Sequence, residues 1–299
     1  MNWENYIKGF ISYLQLEKSL SLNSIKSYER DIKKLSDYFI NINNNKGPDK
    51  ITTKEIRLFL QDLTKKGLSS NSQSRILSGI KAFYKYLILE EKINFDPTEL
   101  IEGPKKSMRL PDTLSKDEIF KIIESIDLTH SQGHRNRAIL EVLYGCGLRV
   151  SELINLKLSN WYEKDGFVKV IGKGKKERLT PIGKLAEKYL KIYINEIRVH
   201  KKIKKDNKDF IFLNRNGKKL TRVMIFYIIK NIVKKNNIKK KISPHTFRHS
   251  FASHLIQGGA DLRVVQEMLG HESITTTEIY THIDREFLRE AIISYHPRS

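Results

Sequence analysis

The spacing of apolar residues constrains this chain before any motif does. Between residues 1 and 102 it forms four stretches, each with one stripe recurring every three to four residues. The first is Tyr6, Phe10, Tyr13 and Leu14, and the second is Ile25, Tyr28, Ile32, Leu35 and Phe39. The third is Ile56, Phe59, Leu60 and Leu63, and the fourth is Ile76, Ile80, Phe83 and Leu87. That period belongs to a helix that buries one face. Four such helices with short polar connections predict a compact bundle. Thr52 and Glu55 have the spacing of a capping box at the start of the third helix, and Asn43-Asn44-Asn45-Lys46-Gly47-Pro48 reads as a loop. The stripes read as core. The outward faces, with Lys18, Lys26, Lys33, Ser69, Ser70, Asn71, Ser72 and Arg75, read equally as solvated surface or as groups that contact phosphate.

At 299 residues the chain has room for two domains. Gly103 and Pro104, followed by Lys105, Lys106 and Ser107, break the apolar period and read as a linker. The expected division is a helical domain over 1–102, a linker over 103–110 and a second domain over 111–299. The second half predicts helices with a small antiparallel sheet. Phe167 to Ile171 and Arg178 to Ile182 flank Gly172-Lys173-Gly174-Lys175-Lys176 as a hairpin, and Phe210 to Leu213, followed by Asn216-Gly217, predicts another strand and turn.

Lys and Arg number 55 against 34 Asp and Glu, a net charge of +21. Such an excess fits a polyanionic partner, because neutralising phosphates releases counterions. The basic residues are dispersed, which fits nucleic acid better than a membrane surface. Cys146 is the only cysteine, so no intramolecular disulfide forms, and a reducing cytoplasm is expected. Met1 to Phe10 lacks the pattern of a signal peptide, and the apolar run Val223 to Ile229 is too short to span a bilayer.

Several residues in the second half are equipped for phosphate chemistry. In Ser243-Pro244-His245-Thr246-Phe247-Arg248-His249 a serine cap and a proline at the first helical position predict a helix running to Gln257, ended by Gly258 and Gly259. His245 and Arg248 fall on one face at its N-terminal end, where free N–H groups and the helix dipole favour an anion. His245, His249, His254 and His271 lack the acidic and cysteine companions of a metal site, so no metal is expected. In Gly145-Cys146-Gly147-Leu148-Arg149-Val150-Ser151-Glu152-Leu153 the glycines end one helix and Ser151 is positioned to cap the next. Arg149 at that junction can grip a phosphate with two N–H groups, and Glu152 can orient it or another catalytic group. Lys173 in the hairpin loop can protonate a leaving oxygen as general acid, with Lys175 and Lys176 as rivals. Asp261 to Leu269 predicts a helix ended by Gly270, with His271 next and Tyr280 nine residues on, one of 13 tyrosines. Arginines, histidines and a lysine together with a phenol suit one reaction, attack of tyrosine on a phosphodiester, whose transition state concentrates negative charge.

These segments have an order. Gly-Leu-Arg-Val-Ser-Glu-Leu leads to Ile-Gly-Lys-Gly-Lys-Lys-Glu-Arg, then to Pro-His-Thr-Phe-Arg-His-Ser-Phe-Ala-Ser-His-Leu. Last comes Gly-Gly-Ala-Asp-Leu-Arg-Val-Val-Gln-Glu-Met-Leu-Gly-His-Glu-Ser-Ile-Thr-Thr-Thr-Glu-Ile-Tyr-Thr-His. In that order they closely resemble the tyrosine recombinases, the phage-integrase type, and within them the Xer branch. The resemblance covers nearly the whole chain. It implies a mainly α protein, with an N-terminal four-helix SAM-like core-binding domain and an α+β catalytic domain carrying a small antiparallel sheet. It implies paired arginines Arg149 and Arg248 on the scissile phosphate and Lys173 as general acid. His245 would bind phosphate and move protons, His271 would hydrogen-bond the phosphate, Tyr280 would be the nucleophile and Glu152 a supporting acid. Cys146 departs from the Thr or Ser expected there and raises the expectation of some sensitivity to oxidation. Neither cofactor nor metal is implied. The implied partners are double-stranded DNA with a dif-like site, a homo- or hetero-tetramer with a sister recombinase, and an FtsK-like translocase. The implied role is resolution of chromosome dimers in the cytoplasm. In this family a C-terminal tail docks in the neighbouring protomer, and Phe287, Leu288, Ala291, Ile292 and Ile293 have the pattern for it or for packing on their own domain. An integrase or invertase of a mobile or phase-variable element, and a DNA-binding protein without catalysis, are the other readings.

Overall fold

The computed structural model describes residues 3–42, 46–104, 113–172, 176–270 and 285–299. The backbone divides into two compact units, Met1–Arg109 and Leu110–Ser299. Among its described residues the first holds the α-helices α1 (Trp3–Leu16), α2 (Leu22–Asn41), α3 (Thr53–Lys65) and α4 (Ser70–Leu89). Local signals start three of them. The Ser21 hydroxyl accepts from the Ser24 amide and the Ser69 hydroxyl from the Ser72 amide. Thr52 and Glu55 make both bonds of the capping box, at 2.9 and 3.3 Å.

Phe10, Ile32, Leu35, Phe39, Ile56, Phe59, Ile80 and Phe83 form the centre of this core. The face of α1 is rotated from the expected one. Trp3, Ile7, Phe10 and Leu14 are buried there, while Tyr6 and Tyr13 are only half-covered at its edge. Both stripes have helical spacing, and the buried one carries a single polar atom, the Trp3 indole N–H, which donates to Lys46 O. Trp3 stacks on Phe39 and Phe83 at 6.2 and 6.4 Å between ring centres. Between α2 and α4, Arg75 grips the buried Asp31 carboxylate with two bonds of 2.6 and 2.7 Å. The close approach needs Gly79, where a Cβ would lie 2.8 Å from Asp31 Oδ2.

The second unit contains α5 (Lys116–Glu124), α6 (Gly133–Gly145), α7 (Val150–Ile154), α8 (Lys184–Ile192), α9 (Arg222–Lys235), α10 (Pro244–Gly258), α11 (Leu262–Leu269) and α12 (Arg285–Tyr295). Its antiparallel sheet has the order β1 (Trp161–Tyr162), β2 (Phe167–Ile171) and β3 (Glu177–Pro181). Phe167 pairs with Pro181 and Ile171 with Glu177, so the hairpin lies where the sequence predicts it. Helix α6 is buried on nearly all sides. Its charged pair Arg137 and Glu141 is joined by Arg298 from the C-terminal segment, which donates to Glu141 at 2.9 and 2.7 Å. Helix α12 packs on its own unit with Leu288, Ala291 and Ile292 buried, and Phe287 and Ile293 exposed.

One predicted strand is absent. Phe210 to Leu213 makes only isolated bridges, Lys157 with Phe210 and Leu213 with Lys219. Arginines do part of the work of a neighbouring strand. Arg198 Nε donates to the carbonyls of Phe210 and Ile211, and Arg135 donates to that of Leu213. The turn after it is as expected, with Gly217 at φ +68° and the Asn214 side chain accepting from the amides of Asn216 and Lys218. No helix among the described residues is long and apolar enough to cross a membrane.

Candidate active site

Helix α6 ends at Gly145, and Gly147, at φ +57°, turns the chain so that Arg149 becomes the N-cap residue of α7. The expected cap, Ser151, is instead an exposed residue of the first turn. The capping group is Glu152, whose Oε2 accepts from the Arg149 amide at 2.7 Å. A carboxylate at this position takes up an orphan N–H and meets the positive end of the helix.

The Glu152 side chain is 1% exposed and is held from several directions. Oε1 accepts from Arg149 Nη1 at 2.8 Å and from Arg178 Nη1 at 2.9 Å, and Oε2 accepts from Arg178 Nη2 at 3.0 Å. Arg248 Nη1 stands 3.8 Å away. Burial pushes the Glu152 carboxyl upward, yet the bonds and charges of Arg178 and Arg149 outweigh it and hold the group below its ordinary range.

The three guanidiniums also gather the free carbonyls at the end of α11. Arg178 Nε donates to Met268 O at 2.9 Å, Arg248 Nη2 to Leu269 O at 2.5 Å, and Arg149 Nη2 to Gly270 O at 3.2 Å. Arg248 Nη1 donates in addition to Gly147 O at 2.7 Å. Among the described residues three positive charges meet one carboxylate in a largely buried place, which leaves an excess suited to an anion. Burial and the Arg149 charge push Arg248 down to about 10, so it stays protonated at neutral pH. Arg149, with 33% of its side chain exposed, is the most accessible of the three.

Helix α10 opens as expected, with Ser243 as N-cap, Pro244 in the first turn and Gly259 at φ +108° after the end. His245 is exposed in its first turn, and Arg248, one turn on, points inward. His249 is exposed, while His254 is core, its Nδ1 2.7 Å from the Tyr144 hydroxyl. Among the described residues no three His, Cys, Asp or Glu stand together to hold a metal ion. Cys146 is fully buried, and burial pushes its thiol up to about 12. A thiol so shielded is inert, which removes the expected sensitivity to oxidation.

The structure thus brings together Arg149, Glu152 and Arg248. Lys173, Lys175, His271 and Tyr280 lie outside the described residues. Their flanks are described: the Gly172 amide donates to Lys176 O at 2.8 Å across the hairpin, and Gly270 ends α11 at φ +63°. Arg178 was missed as a site residue. Its signal was a charge at a strand position that alternates onto the same face as the buried Thr180, where a charge needs a partner.

Two family descriptions match the sequence, the phage integrase family over residues 112–286 and the phage integrase N-terminal SAM-like domain over residues 7–91. The chain is 44% identical over 297 residues to tyrosine recombinase XerD of Oceanobacillus iheyensis, with 99% of each protein covered. Its structure is similar to that of the XerH site-specific recombinase bound to difH substrate in a pre-cleavage complex. The TM-score is 0.69 at 26% identity, covering 97% of this chain and 84% of that one. A lambda integrase tetramer on a Holliday junction shares the fold, with a TM-score of 0.72 at 19% identity over 92% and 79% of the two chains. The chain belongs to the phage integrase family. Within it, this is a XerD-like site-specific tyrosine recombinase, as the order of its motifs implied.

Proposed function

We propose that this recombinase acts at a dif-like chromosomal site, and that Tyr280 is its nucleophile. The observation that carries the reading is the cluster of Arg149, Arg178 and Arg248 around Glu152, three cations on one carboxylate among the described residues. Arg149 and Arg248 bind the non-bridging oxygens of the scissile phosphate. The Tyr280 oxygen attacks phosphorus, the bond to the 5′ oxygen breaks, and Lys173 protonates the leaving 5′ oxygen. His245 accepts the phenolic proton, and His271 hydrogen-bonds the phosphate. One ester replaces another, so the 3′-phosphotyrosyl link stores the bond. The 5′ hydroxyl of a partner duplex reverses the step and produces a Holliday junction.

In this reading residues 1–102 form the core-binding domain, 103–110 the linker and 111–299 the catalytic domain. Four protomers assemble on two duplexes, with copies of this chain or a sister recombinase, in the cytoplasm and under an FtsK-like translocase. The dif-like target is supported by the likeness to XerH, whose complex holds difH.

The test is cleavage and recombination of duplexes carrying the dif-like sequence of the host genome. The wild-type protein is expected to bind and recombine them. Arg248→Ala is expected to bind and to cleave roughly 10²–10³ times more slowly, the usual loss for one preorganised donor. Near-normal cleavage by that variant rules out the phosphate role, and activity confined to the ends of a mobile element rules out the dif-like target.

A further inference from the structure

We infer that Arg178 is a positioning residue of the recombination reaction, holding Glu152 so that Arg149 and Arg248 stay available to the phosphate. The inference rests on the phosphate role proposed for those two arginines.

Three donor atoms of Arg178 are committed inside the protein. Nη1 and Nη2 span the two oxygens of Glu152 at 2.9 and 3.0 Å, and Nε reaches Met268 O at 2.9 Å. Only 14% of its side chain is exposed. Its guanidinium is thus used as a fork on a carboxylate, while Arg149 keeps the exposed position. Arg178 stands on β3, the strand leaving the Lys173 loop, and it ties that strand to the carboxylate beside Arg149 and to the helix end preceding His271. The fit is close at Gly270, where a Cβ would lie 3.1 Å from Arg178 Cδ and 3.2 Å from Nη1.

Consider the cluster without this residue. Among the described residues, the cations then left beside the buried Glu152 carboxylate are Arg149 at 2.8 Å and Arg248 at 3.8 Å. A buried carboxylate that has lost its strongest partner draws the remaining cations toward itself. Arg248 then leaves the carbonyls of Gly147 and Leu269 that now aim it, and both arginines are turned from the phosphate. Displacing a reacting group by about 1 Å costs roughly 10²-fold in rate.

The experiment compares Arg178→Met, Arg178→Lys, Glu152→Gln and the double variant Arg178→Met/Glu152→Gln with the wild-type chain, and uses Arg149→Ala and Arg248→Ala as controls. Single-turnover cleavage of a nicked duplex, Kd for the same duplex and the thermal midpoint are read for each. Arg178→Met is expected to keep Kd within about threefold and to cleave roughly 10²-fold more slowly. Arg178→Lys is expected to recover less than about tenfold of that loss, because an ammonium cannot span both oxygens and reach Met268 O. The double variant is expected to cleave about tenfold faster than Arg178→Met, because the carboxamide no longer draws Arg149 and Arg248 inward. A merely structural role gives no such rescue.

Wild-type cleavage by Arg178→Met, a double variant no faster than the single one, or a loss of affinity as large as the loss of rate overturns the inference. If Arg178→Met fails to fold, Arg178→Lys with and without Glu152→Gln decides by the same rescue. Normal cleavage by Arg149→Ala and Arg248→Ala overturns the underlying phosphate reading. Inactive controls with no rescue overturn the role of Arg178 alone.

Discussion

The turn before Arg149 gives the sharpest quantitative prediction. Gly147 sits at φ +57°, and a Cβ added there would lie 2.4 Å from Phe251 Cδ1 and 2.7 Å from Cε1. Phe251 is fully buried on α10 and lies 5.5 Å, ring to ring, from His296, so it has little room to yield. In Gly147→Ala the left-handed backbone costs roughly 1–2 kcal/mol, and overpacking the core costs roughly 1–3 kcal/mol more. The catalytic unit should lose about 2–5 kcal/mol. With an m-value of roughly 2–3 kcal/mol per molar urea, its midpoint should fall by about 0.7–2.5 M. Urea-dependent hydrogen exchange of the full chain separates the units, because peptides from α10 should lose protection while those from α4 keep theirs. Gly147 O also holds Arg248 Nη1, so cleavage by the folded fraction should slow as well. Gly147→Ala combined with Phe251→Leu should cost less than the two changes added together. An unchanged α10 midpoint in Gly147→Ala would refute both the left-handed turn and the contact with Phe251.

Other consequences concern the catalytic unit's interior. Glu141→Ala takes the carboxylate from Arg137 and leaves Arg298 only its 3.3 Å pair with the exposed Glu124, and should cost roughly 3–5 kcal/mol. It should exceed the cost of Arg298→Ala, which leaves Glu141 its bond to Arg137, and denaturation of both variants checks the order. His296 is pushed down to about 3 by burial, with His254, Arg298 and Lys116 adding to the effect against a bond to Tyr144. The unfolded chain therefore binds the extra proton below its ordinary pKa of about 6.5, and stability falls as pH drops from there. The loss should reach about 2 kcal/mol by pH 5, and His296→Phe should flatten that slope. Urea midpoints at pH 7 and pH 5 decide, and equal slopes in the two proteins would contradict it. Cys146 should resist iodoacetamide in the native protein and react in urea, because its thiol is buried and pushed up to about 12.

The helices were legible because their signals are local. A stripe at the helical period, a serine or threonine cap and a glycine stop lie within a few residues of one another, as at Thr52, Ser243 and Gly270. The two Tyr positions of α1 misled because two overlapping stripes share the same period, and only packing against Phe39 and Phe83 selects the one led by Trp3. Phe210 to Leu213 has the composition of a strand, yet its carbonyls are taken by Arg135 and Arg198, 78 and 12 residues away from the groups they bind. Arg149, Glu152 and Arg248 were legible as a spaced set. Arg178 was not, because its function lies in contacts to Glu152 and Met268 across 26 and 90 residues. A strand charge on an inward face marks that something must neutralise it, without saying what.

In the proposed mechanism Tyr280 carries the broken DNA strand. Its most direct test is incubation of the protein with nicked duplexes bearing the dif-like site of its own genome, with EDTA and without ATP, beside Tyr280→Phe. The wild-type chain should give a covalent, SDS-resistant protein–DNA adduct, and Tyr280→Phe should bind DNA without one. An adduct that persists in Tyr280→Phe would contradict the proposed mechanism.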